Sequence, residues 1–93
     1  MTNPEPDQDL RATTNRIMEV MQEHKGELLE KPHVVGVAVG FRQVEGKSTE
    51  TLALVVMVDQ KIPQNLLTPE QQIPISIEGV PIDVQEIGEI SAY

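Results

Sequence analysis

The chain has 93 residues, with 7 basic and 15 acidic side chains, a net charge of −8 at pH 7, and 39% hydrophobic residues. That length makes one domain with a modest core. It contains no cysteine, which excludes disulfides, thiolate metal sites and cysteine nucleophiles. No apolar run approaches the ~18 residues of a membrane span, and the acidic start MTNPEPDQD lacks the apolar stretch of a signal peptide, so a cytoplasmic protein is expected.

Charge is concentrated at the two ends. Residues 1–9 carry a net −3 and residues 62–93 a net −5, the latter with no Lys or Arg, while the middle is balanced. An acidic chain repels phosphate backbones and anionic lipid surfaces. Phe41 and Tyr93 are the only aromatic residues, too few for a base-stacking platform. Neither nucleic acid nor membrane is expected as a partner.

Residues 1–6, with Pro4 and Pro6, read as a flexible acidic tail ahead of a single domain over 7–93. Asp7 is placed to cap a helix. Leu10, Ile17, Val20, Met21, His24 and Leu28 then recur at three- and four-residue steps, which predicts an amphipathic helix from about 8 to 24, extending towards 30. Pro32 ends it. Residues 34–41 (VVGVAVGF) read as a strand with Val35, Val37, Val39 and Phe41 on one face and Gly36, Ala38 and Gly40 on the other. A polar stretch follows. Residues 51–58 (TLALVVMV) then form a strand apolar on both faces, joined to the first as a hairpin. Residues 62–72 contain two prolines and a single helical turn. Ile73 to Ile77 and Val80 to Glu86 alternate around a two-residue turn at Glu78-Gly79, which predicts a second hairpin whose prolines need edge positions.

The fold class is therefore α+β: one N-terminal helix packed on a small, mainly antiparallel sheet of three to four strands, in the order α-β-β-turn-β-β, partly ferredoxin-like. The small face of the first strand suits a helix lying close over Gly36, Ala38 and Gly40, or else the approach of a ligand or partner backbone. A strand apolar on both faces leaves sheet surface for one helix to cover only in part, which predicts a homodimer or docking of another protein chain.

A catalytic constellation is not found. His24 and His33 lack metal-ligand spacing to any partner, so no metal or other cofactor is expected. Ser48, Ser76 and Ser91 lie outside any nucleophile-elbow motif. Gly46-Lys47-Ser48 imitates the end of a phosphate-binding loop, but Phe41 stands where its first glycine belongs. Asp83 and Glu86 fall on opposite faces of their strand. The chain is expected not to be an enzyme.

The segments PHVVGVAVGF, LALVVMVDQKIP and IPISIEGVPIDVQEIG, with Lys61-Ile62-Pro63, Gly79-Val80-Pro81 and Asp83-Val84, resemble a region found ahead of trypsin-like serine protease domains in bacterial proteins. The resemblance spans residues 32–88 and implies an accessory, non-catalytic module, since the protease domain itself is absent from this chain. The expected function is a protein-interaction or self-association module, with a small-ligand or cation-binding regulatory domain as the alternative. Gly36, Ala38, Gly40, Asp83 and Glu86 are the candidate interaction or ligand residues.

Overall fold

A computed structural model describes residues 6–88. The expected tail lies outside the described residues except for Pro6, the first residue of helix α1 (Pro6–Leu29). Proline suits that position, because its missing N–H has no intrahelical partner in a first turn. Asp7 accordingly sits inside the helix rather than before it. Strands β1 (Val34–Val44), β2 (Lys47–Val58), β3 (Ser76–Ile77) and β4 (Val80–Glu86) follow, with one short 3-10 turn at Gln64–Leu66. The result is a small α+β domain with a four-stranded sheet in the order β1-β2-β4-β3. Among the described residues, no helix is long and apolar enough to cross a membrane.

Both hairpins turn on two residues at positive φ, Glu45-Gly46 (52° and 78°) and Glu78-Gly79 (49° and 81°), as the type I′ turn requires. The first turn is tighter than the polar stretch 45–50 suggests. Val44 pairs with Lys47, so β1 and β2 run several residues further than their apolar segments. The polar outer arm is paired strand rather than loop. β3 keeps only two residues of the expected five, because Pro74 has no N–H to give a ladder. β1–β2 and β3–β4 are antiparallel, whereas β4 lies parallel to β2, Leu54 to Val58 against Ile82 to Glu86.

The helix covers one face of the sheet. Ile17, Val20 and Leu28 pack with Leu54, Val56, Val58 and Val80, flanked by Val37, Val39, Ile82 and Val84. This overturns the expectation that the helix lies over Gly36, Ala38 and Gly40. The opposite face offers large aliphatic side chains and hence far more apolar area to remove from water. Leu10 is exposed, contrary to the helical pattern. Val35 and Phe41 are exposed as well. Val35 is an extra residue between the pairs Val34–Val58 and Gly36–Met57, and this bulge takes it out of the expected alternation, whereas Phe41 stays in phase, paired with Leu52, beside a second irregularity at which β2 carries the extra residues.

Candidate interaction surface

Four of the five expected site residues come together. Gly36 and Ala38 on β1 pair with Met57 and Val55 on β2, and Val55 in turn pairs with Asp83 on β4, so all lie on the sheet face away from the helix. Gly40 pairs with Ala53 on the same face. Glu86 does not join them. It sits at the end of β4 and accepts the Lys61 backbone N–H at 2.9 Å.

The chain itself covers much of this reverse face. A Cβ on Gly36 would stand 3.0 Å from Met57 Cε, and one on Gly40 would stand 3.1 Å from Val55 Cγ2. The small residues of β1 thus make room for the larger side chains of β2. Beyond the bulge, the Gln43 N–H donates to Asp83 Oδ2 at 2.9 Å, and Gln85 Nε2 donates both to Asp83 Oδ2 at 2.8 Å and to the Phe41 carbonyl at 3.3 Å. These bonds tie the outer hairpin to β4 across β2, and Ala53 and Val55 are buried beneath.

The more open apolar surface lies at the other end of the sheet. The crossover from β2 to β4 is braced by its own polar groups: Gln72 Nε2 donates to the Gln64 and Leu67 carbonyls at 3.2 and 3.3 Å, and the Thr68 N–H donates to Gln71 Oε1 at 3.0 Å. Lys31 Nζ donates to the Glu70 carbonyl at 2.7 Å and ties the crossover to the end of α1. Between this wall and the ends of β2 and β4 is a cleft of about 430 Å³, with Val58, Ile62, Leu67, Ile73 and Val84 among its walls beside Gln60, Lys61, Gln64 and Gln71. Apolar walls with few polar groups are typical of binding clefts. The sequence signalled Ile62 and Leu67 only as part of a proline-bounded turn, and Val58, Ile73 and Val84 as residues of three separate strands. Their convergence depends on the parallel return of β4.

The histidines tie elements together. His24 Nε2 donates to Glu78 Oε2 at 3.0 Å, and His24 Nδ1 lies 3.6 Å from Glu27 Oε2. Arg16 donates to the Glu78 carbonyl at 3.2 Å and lies 3.8 Å from its carboxylate. The bond to Glu78 raises the His24 pKa above its ordinary 6.5. The same bond, with a further one to Glu23, lowers that of Glu78 below 4.5. Glu23, His24 and Glu78 bring ligand-type atoms within 4.8 Å of one another, a grouping that sequence spacing could not reveal because Glu78 comes from a distant turn. The guanidinium of Arg16 already lies beside Glu78, and the cluster fastens the β3–β4 turn to the helix. Just beyond the C-terminal end of α1, His33 Nδ1 lies 2.9 Å from Asp59 Oδ1 and links the start of β1 to the end of β2.

Comparison with curated proteins gives no match. A family model does match, over residues 11–86, which runs from the helix to the last residue of β4. This finding corrects the resemblance to a bacterial region preceding trypsin-like protease domains. The valine-glycine strand, the Lys-x-Pro corner and the Gly-Val-Pro turn that suggested it are strand and turn chemistry shared by many small sheets. With 76 of its 93 residues inside the match, the chain belongs to the NARROW LEAF 1 N-terminal domain family.

Proposed function

We propose that this domain is a non-catalytic, cytoplasmic protein-interaction module that receives an apolar segment of a protein chain in the cleft beside β2 and β4. The observation that carries this reading is the cleft itself, about 430 Å³ with aliphatic walls on a braced crossover. That volume accommodates two or three aliphatic side chains, and apolar residues make up most of its walls, with Gln60, Lys61, Gln64 and Gln71 as the polar groups. The engagement of both histidines with carboxylates supports a structural rather than a chemical role for them.

Titration of the full chain with the peptide N-acetyl-Leu-Ile-Leu-amide, followed by methyl NMR, tests this. Saturable shifts at Val58, Ile62, Leu67, Ile73 and Val84 are expected, with a dissociation constant no weaker than about 1 mM, and Ile62→Asp abolishes them. A wild-type chain whose cleft methyls do not move in a saturable way would refute the reading.

A further inference from the structure

Residues 62–77, IPQNLLTPEQQIPISI, contain a single charged residue, Glu70, in a chain of net charge −8. The same segment carries the two most exposed large hydrophobic side chains among the described residues, Ile75 at 86% and Leu66 at 70%. It also supplies Ile62, Leu67 and Ile73 to the cleft. Protruding aliphatic side chains and an aliphatic recess thus adjoin on one segment. Neighbouring positions are well held: the Ile75 carbonyl accepts the Ile82 N–H at 3.0 Å, and the Leu66 N–H donates to the Pro63 carbonyl at 2.9 Å. Ile75 and Leu66 are therefore presented to solvent on fixed backbone.

We infer that the occupant of this surface is a second copy of the chain, in a two-fold pairing where Leu66 and Ile75 of each protomer pack against the cleft of the other. The inference rests on the interaction-module reading and names the partner of that same cleft. Two physical points favour a like chain. A two-fold interface requires one patch to be complementary to itself, and this patch holds both the protruding residues and the recess. Two protomers each of charge −8 repel one another, so the approach costs least where both surfaces are uncharged. The helix face fails that condition, since Glu19, Glu23 and Glu27 are exposed on it. A basic partner would gain little from docking on 62–77, where Glu70 is the one acid.

Sedimentation equilibrium of the full chain from about 1 µM to about 1 mM tests the pairing, beside Ile75→Asp and Leu66→Asp. Both positions are exposed, so unchanged far-UV circular dichroism is expected for each variant. The wild-type mass should rise with concentration from 10.3 kDa towards twice that value. Each variant should weaken association by at least about tenfold, as loss of an apolar anchor does. In a sample mixing labelled and unlabelled chains, contacts between copies should connect Ile75 with Ile62, Leu67 or Ile73. A monomer throughout, or a dimer indifferent to both substitutions, overturns the inference. If the monomer still binds the aliphatic peptide, the interaction-module reading survives that failure. If it does not, both fall.

Discussion

Substituting three glycines by alanine, one at a time, separates the free surface of this fold from its close-packed one. Gly26 lies on the exposed side of α1, and a Cβ there meets nothing within 4 Å. Gly26→Ala should therefore stabilise the domain by about 0.8–1 kcal/mol, the difference in helix propensity. At Gly36 the new Cβ would stand 3.0 Å from Met57 Cε, the far end of an unbranched side chain. Methionine swings aside at little cost, so overpacking and the gain from reduced chain entropy should offset within about 0.5 kcal/mol. At Gly40 the contact is Val55 Cγ2 at 3.1 Å, on a buried β-branched side chain with little rotamer freedom. Overpacking there costs about 1–3 kcal/mol, against an entropy gain of about 0.5–1 kcal/mol. Gly40→Ala should thus destabilise by up to roughly 2.5 kcal/mol on balance. Urea unfolding followed by circular dichroism at one fixed protein concentration gives the order Gly26→Ala, wild type with Gly36→Ala, Gly40→Ala. A Gly40→Ala protein as stable as Gly26→Ala would refute the claim that the small residues of β1 exist to admit the side chains of β2.

Other consequences follow from the core, the hairpin tie and the histidine bridge. Leu54 is fully buried between α1 and the sheet, and Leu54→Ala should cost about 3–5 kcal/mol in the same unfolding assay. A loss below 1 kcal/mol would mean that the helix does not pack there. Asp83→Ala removes the acceptor for Gln43 N–H and Gln85, so amide exchange at Gln43 should accelerate while that of Val56 changes little, and stability should fall by about 1–2 kcal/mol. Equal acceleration at both amides would count against a local tie. Because the His24 pKa is raised in the folded chain, its contribution is fully present below pH 6.5 and is lost as pH rises through the folded value. Because the Glu78 pKa is lowered, its contribution is present above pH 4.5 and is lost as pH falls through the folded value. The bridge from turn to helix is therefore strongest between pH 4.5 and 6.5. Unfolding midpoints at pH 6 and pH 8 should differ less in His24→Gln than in the wild type, and an unaltered difference would exclude His24 as the titrating group.

Local pattern determined the elements of this protein. The three- and four-residue spacing of Ile17, Val20, His24 and Leu28 specified a helix and its buried face, because side chains at those steps share one side of a 3.6-residue turn. Glu78-Gly79 specified a hairpin turn, since glycine adopts positive φ without steric cost. The double-sided apolarity of residues 51–58 marked the central strand. Gly36, Ala38, Gly40 and Asp83 share a face because strand alternation, read correctly in phase, places them there.

Only the tertiary structure decided which partners those faces meet. Alternation fixes that two faces differ but not which one the helix selects, and the choice fell to the larger aliphatic area of Val37, Val39, Leu54 and Val56. A bulge at Val35 turned a side chain that regular alternation would have placed in the core, and no residue type announces a bulge without its pairing strand. The parallel return of β4 beside β2 depends on the path of residues 59–79. That path forms the cleft at one end of the sheet and brings Glu78 to His24, 54 residues away in sequence. Contacts of that separation arise from the fold as a whole, because neither hydrophobic period nor local spacing carries information about them.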